Sequence, residues 1–202
     1  MSKHCAEVPV PKVYGYSSGL HSERNALPFI AEQYINAPPL SDVWPTYAEP
    51  EKEVVGRRVA ELIVRLGEIR FDRLGGMAPD GTLAPTVEGA KLATSPRKEP
   101  FVLCHNDLQA RNILMDGTEM AGVIDWEFAG AYPLSALNSD GFEALEIVDG
   151  ASQEECLAWT SRISTLVVEI ARERAWAERD VRLLESGGDP ELQAVRVEMM
   201  PV

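Results

Sequence analysis

Residues 104–114 read CHNDLQARNIL, and residues 122–130 read GVIDWEFAG. Each block sets polar residues against a short apolar run. Phe101–Cys104 is apolar and leads into the first block, and Asn112–Met115 closes it. Asp116-Gly117 is a turn signal, and Ala121–Asp125 is a third apolar run ending on a carboxylate. This pattern predicts three short strands, the last two forming a hairpin. Strands this short are expected to be scaffolding rather than core, aiming His105, Asp107, Asn112 and Asp125 at one edge.

Those residue types in the order H-x-D-x-x-x-x-N, hairpin, D suit phosphoryl transfer. Such a reaction needs a carboxylate to orient an acceptor hydroxyl and take its proton, which fits Asp107. It also needs hard oxygen ligands to hold magnesium against nucleotide phosphates, which fits Asn112 and Asp125. His105 has two readings: a participant in the catalytic loop, or a histidine that braces it. Glu127 reads as a carboxylate facing the metal or standing just behind its ligands. Arg111 reads as a solvated or salt-bridging residue, and Trp126, Trp159 and Trp176 as packing residues.

The chain is long enough for one moderate domain or for two small lobes sharing a cleft. Its 202 residues are 45% hydrophobic and 25% charged, the balance of a globular protein with a sizeable core. The net charge of −13 argues against nucleic acid, whose phosphates need clustered Lys and Arg. An acidic surface suits cationic small molecules, although it also serves plain solvation. Cys5, Cys104 and Cys156 lack metal-ligand or redox spacing. Neither a signal-peptide core nor a membrane-length apolar run is present, so a cytoplasmic protein without a membrane partner is expected.

Coarse elements follow from periodicity. Val8–Tyr14 reads as extended because its prolines disfavour helix before them. Residues 17–25 read as a turn, and Pro28–Ile35 as a strand. A helix is expected over Pro50–Phe71, with Val55, Val59, Leu62, Leu66 and Ile69 on one stripe. Ser152 and Glu155 form a capping-box signature for a C-terminal helix continuing to about Leu184. Residues 189–202 are expected to be partly ordered.

The two blocks resemble the catalytic loop and metal-binding segment of protein kinases. Their wording is more similar to the aminoglycoside phosphotransferase family, especially its fungal members, with Trp126-Glu127 after the metal aspartate and Asn106 where that family usually has Gly. VPVPKVYGY (residues 8–16) and LPFIAEQYINAPPLSDVW (residues 27–44) resemble its fourth and fifth strands and the hinge between its lobes. RFDRLGGM (residues 70–77) resembles the stretch after its first large-lobe helix.

The resemblance implies an α+β protein-kinase-like fold. Residues 1–36 would be a small-lobe remnant and hinge, residues 37–190 a helical large lobe, and residues 191–202 a tail. It implies ATP and Mg2+ as cofactors, backbone groups at Glu32, Gln33 and Tyr34 facing the adenine, and a hydroxyl of a small molecule, aminoglycoside or choline-like, as acceptor. The family's glycine-rich hairpin and phosphate-pairing lysine find no counterpart around Lys3 or Lys12. The segment 87–100 is also short. A truncated chain that is a poor or inactive kinase on its own is therefore expected, and three readings stay open: a small-molecule phosphotransferase, a non-catalytic pseudokinase, and a fragment needing further residues.

Overall fold

The structure, a computed structural model, describes residues 8–17, 29–78, 82–84, 99–137, 145, 148 and 150–185. The first elements form a hairpin: β1 (Val13–Ser17) pairs antiparallel with β2 (Phe29–Glu32), with an irregularity between Val13 and Gly15. The second strand ends at Glu32 rather than running to Ile35. Beyond it the Gln33 N–H still reaches the Lys12 carbonyl at 2.8 Å, but the Ala37 N–H turns back to Ile35 at 3.0 Å. That turn carries the chain toward Pro38-Pro39. The expected turn lies outside the described residues after Ser17, as do the segment 85–98 and the tail beyond Glu185.

A short helix α1 (Leu40–Val43) and a 3-10 turn (Trp44–Thr46) lead into α2 (Glu49–Gly67). Pro50 in the first turn costs no intrahelical bond, and the Glu51 carboxylate accepts the Ala48 N–H at 2.8 Å. Val55, Val59, Leu62 and Leu66 are buried as the stripe requires, joined by Ala60, Ile63 and Val64. The helix stops at Gly67, short of the expected Phe71. Sheet pairing overrides helical periodicity there: Arg70 and Phe71 form β3 and face Val102 and Phe101.

The central sheet runs β3-β6-β9-β4-β5. Its other strands are β4 (Gly75–Met77), β5 (Leu83–Ala84), β6 (Phe101–Cys104) and β9 (Gly130–Pro133). A separate hairpin joins β7 (Ile113–Asp116) to β8 (Glu119–Val123). The sequence-based expectation that these strands would be only scaffolding is corrected. Val102, Leu103, Cys104, Ile113, Met115 and Val123 are all buried in the main core. Short strands suffice because α2 covers β6 from one side and each strand contributes a continuous apolar run.

The C-terminal helix is two helices. Ser152 caps α3 (Gln153–Glu173) by accepting the Glu155 N–H, while the Glu155 carboxylate reaches the buried Lys52 ammonium at 2.6 Å. Ala175 then adopts a left-handed conformation (φ 55°). The Trp176 N–H bonds Ala171, and that of Ala175 bonds Arg172, the double bond of a Schellman stop. The break seats the Trp176 ring against Gly67, where a Cβ would meet it at 2.4 Å, before α4 (Glu178–Glu185) begins. None of the described helices is long and apolar enough to cross a membrane.

Gly130 sits where β9 passes β4. A Cβ there would lie 2.6 Å from the Gly75 carbonyl oxygen and 3.2 Å from the Gly76 Cα. Both obstacles are backbone, so side-chain rotation cannot relieve them. Gly130→Ala is expected to destabilise the protein by about 1–3 kcal/mol. Gly15→Ala, with open space around its Cβ, should stay within about 0.5 kcal/mol. Urea midpoints of the two variants check this, and equal midpoints would refute the crowding argument.

Candidate functional site

The two sequence blocks meet because β6 pairs with β9 from Phe101↔Pro133 to Cys104↔Gly130. Everything between those strands projects from one end of the ladder: the 105–112 loop, the β7–β8 hairpin and the 124–129 turn. The loop and the turn are then fastened to each other. The Ile124 N–H donates to the Asn112 carbonyl at 2.9 Å, and the Asn106 side-chain amide donates to the Phe128 carbonyl at 3.0 Å.

His105 is fully buried at the start of the loop. Its Nδ1 accepts the Asp107 N–H at 3.3 Å, and its Nε2 lies 3.0 Å from the Ile124 carbonyl. An Nδ1 that accepts requires the neutral tautomer with the proton on Nε2, which then donates to Ile124. Burial pushes the ring's pKa below its ordinary value. The Ile124 hydrogen bond and the Asp107 and Asp125 charges oppose that shift, so both carboxylates are near enough to act on the same ring. The indole of Trp126 packs over it, ring centres 4.5 Å apart. The geometry is that of a brace joining loop to turn.

Asp107 and Asn112 are interlocked. The Asn112 Nδ2 donates to the Asp107 backbone carbonyl and to Oδ2, both at 2.9 Å. A 3-10 turn (Ala110–Asn112) brings the amide round for this contact. With both amide hydrogens engaged, Oδ1 is the atom Asn112 has left for another ligand. Asp125 is exposed and left-handed (φ 64°) at the start of a second 3-10 turn (Trp126–Phe128). Its carboxylate has no hydrogen-bond partner among the described residues. Glu127 is exposed on that turn. Trp126 packs inward and donates Nε1 to the Val123 carbonyl at 2.8 Å. No group of three or more His, Cys, Asp or Glu able to hold a metal occurs among the described residues.

Arg111, read from the sequence as solvated or salt-bridging, gains a partner, and Asn106 gains a role that the sequence did not suggest. Arg111 donates Nη2 to both Asp107 carboxylate oxygens, at 3.1 and 2.9 Å. Its position four residues after Asp107 was the available signal. Asn106 is left-handed (φ 61°), a conformation Asn tolerates better than most residues. Asn standing where the resembling family has Gly was the signal for that.

Glu32, Gln33 and Tyr34 are all exposed. The chain around them is stitched to the β7–β8 hairpin. The Val123 N–H donates to the Pro9 carbonyl at 2.7 Å and that of Met115 to Pro38 at 2.9 Å. Ile35 fills the space over Gly122. The Gln33 N–H is already spent on Lys12, and its side-chain oxygen accepts the Lys12 N–H at 3.3 Å. The Tyr34 N–H has no partner among the described residues.

Residues 79–136 match the model of the APH family, the phosphotransferase enzyme family. Comparison with curated proteins gives no match. A thermostable mutant of aminoglycoside phosphotransferase APH(4)-Ia, solved with ADP and hygromycin B, resembles the chain with a TM-score of 0.56 at 18% identity. The match covers 91% of this chain and 70% of that one. The streptomycin–ATP complex of APH(2")-IIa gives 0.53 at 16% identity, over 84% of this chain and 63% of that one. An aminoglycoside-3'-phosphotransferase of type VIII gives 0.50 at 22% identity, over 90% and 75%. The element order, the looped site and these likenesses agree: the chain has the α+β protein-kinase-like fold found in aminoglycoside phosphotransferases.

Proposed function

We propose that the chain is an ATP-dependent phosphotransferase acting on a hydroxyl of a small molecule. The observation that carries this reading is the Asn112 amide. Its Nδ2 is committed to Asp107, which fixes the carboxylate that would take a proton and leaves Oδ1 as the atom that would hold a cation. Asp125, exposed and without a partner among the described residues, supplies the second hard oxygen. This donor set fits magnesium, which accepts few protein ligands and keeps several waters. When bound, the metal would neutralise charge on the nucleotide phosphates.

The residues of the chain then divide the work. Asp107 orients the acceptor hydroxyl and accepts its proton as the phosphoryl group is attacked. Asn112 holds that carboxylate in place. His105 positions both segments from beneath and stays neutral. Glu127 stands behind the metal ligands. The Glu32–Tyr34 segment faces the adenine, and the Tyr34 N–H is the donor it has left to offer the base. Residues 1–36 act as small-lobe and hinge, and residues 37–190 as the large lobe. The family match through residues 79–136 supports this assignment, as do neighbours solved with ADP or ATP.

A thermal-shift titration of the 202-residue chain tests it. Ligand that binds only the native state at a hundred times its Kd adds about 2.7 kcal/mol. For a protein of this size that raises Tm by roughly 5–10 °C. The rise should appear with ATP and magnesium together and shrink when EDTA is added. No rise at millimolar Mg–ATP would remove the reading.

A further inference from the structure

We propose that Asn106 is a positioning residue for the turn that carries Asp125: its side-chain amide holds that turn against the loop that carries Asp107, and this contact raises the affinity for magnesium-loaded nucleotide. The proposal rests on the phosphotransferase reading, with Asp125 as a magnesium ligand.

The 3-10 turn Trp126–Phe128 contains no buried residue, and Asp125, Glu127 and Phe128 are all exposed. Packing reaches it through one ring, that of half-buried Trp126 over His105. Hydrogen bonds at its two ends do the rest. Upstream, Ile124 gives its N–H to the Asn112 carbonyl, and its own carbonyl accepts His105 Nε2. Downstream, the Phe128 carbonyl accepts the Asn106 amide at 3.0 Å, and the Ala129 carbonyl accepts the Met77 N–H at 3.1 Å. The two downstream bonds join different things. Met77 ties the chain to the central sheet. Asn106 ties the turn to the residue next to Asp107, and so relates the exposed carboxylates to the base.

The backbone of Asn106 points the same way. At φ 61° it holds a conformation that Gly takes without steric cost and that a side chain disfavours. A side chain kept there loses some stability, and the contact it makes in return is the one to Phe128.

A cation shared by Asn112 and Asp125 needs its two donors at a fixed separation. Asn112 is set by Asp107, whereas Asp125 moves with the turn. If the turn drifts, the binding arrangement is populated for a smaller fraction of the time, and apparent affinity falls by that fraction. The fall is bounded by the worth of the Asn106 bond. That bond is open to water, which puts it in the lower half of the usual range, about two- to fivefold. Nucleotide without its metal makes no use of Asp125, so its affinity should not change.

The test measures, by calorimetry on the full chain, the dissociation constant of a non-hydrolysable ATP analogue with saturating magnesium and again with EDTA. The ratio of the two reads the contribution of the metal. Asn106→Gly removes the amide and relaxes the backbone, and Asn106→Ala removes the amide and strains it. The lost amide is what they share. Both should lower the ratio about two- to fivefold, with weaker binding in magnesium and unchanged binding in EDTA. Unfolding midpoints by circular dichroism should fall further for the alanine variant. If Asn106 served only the backbone shape of its loop, the glycine variant would keep the parent's ratio. That result, equal weakening with and without magnesium, or a glycine variant that does not fold overturns the proposal. A parent ratio of one means that the metal reading itself has failed and takes the proposal with it. A parent ratio above one that survives in the glycine variant means that only the role of Asn106 has.

Discussion

Asp107→Asn should lower phosphotransfer by a hundredfold to ten-thousandfold while leaving the fold intact. The rate loss follows from chemistry: an amide cannot take the acceptor's proton, and positioned proton transfer is worth about that much. The survival of the fold follows from how the loop is held. Two of its fastenings use the backbone of Asp107, whose N–H meets His105 and whose carbonyl accepts the Asn112 amide. Neither involves the carboxylate. What the substitution removes is the Arg111 ion pair, whose half-exposed guanidinium limits its worth to about 1 kcal/mol or less. It also places an amide NH2 near two donors, a mismatch that Arg111 can relieve by swinging into solvent. Rates from coupled ADP release and unfolding midpoints by circular dichroism separate the effects. Undiminished turnover in the variant would end the assignment of Asp107 as base.

Removing Asp125 should abolish the magnesium-dependent part of ATP binding. Two substitutions are needed, because Asp125 is left-handed at φ 64°. Ala in that conformation costs about 1–2 kcal/mol that has nothing to do with metal. Asn tolerates it and keeps the shape, but lacks the charge that competes for a divalent cation. Both Asp125→Asn and Asp125→Ala should bind ATP equally with and without magnesium in calorimetric titrations, and only the alanine variant should also lose stability. A full magnesium response in both variants would refute the metal role.

The sequence was most legible where chemistry and periodicity coincided. Phe101–Cys104 appears as a strand with the expected ends. Asn112, Asp107 and Asp125 stand around the loop and turn that the blocks suggested. The bracing alternative for His105 matches its burial and its two partners.

Element ends were less legible because tertiary pairing sets them. Arg70 and Phe71 carry nothing that forbids helix, and they leave it for partners about thirty residues away in sequence. The break at Ala175 was hidden for a related reason. Helices usually stop this way on glycine, and here an alanine takes the left-handed position so that Trp176 can cover Gly67. Arg111 reads from the sequence as solvated or salt-bridging, and the 3-10 turn at Ala110–Asn112 settles that its partner is Asp107. The clamps from Pro9 and Pro38 onto the β7–β8 hairpin are backbone bonds, which side-chain identities do not announce.

The pairing of Cys104 with Gly130 has a thermodynamic corollary. Asp107, Asn112 and Asp125 all lie inside one closed loop whose two ends face each other in a single rung of the ladder. Such a loop cannot lose one of its members alone without straining the others, because its internal fastenings connect loop to hairpin to turn. It behaves as a single cooperative opening unit, whose protection is set by the β6–β9 ladder at its neck. Closing that neck is also the one large entropic step in ordering the site. Docking of loop on turn is then short-range within a ring already closed, so those two segments should order together, after the sheet and not before it.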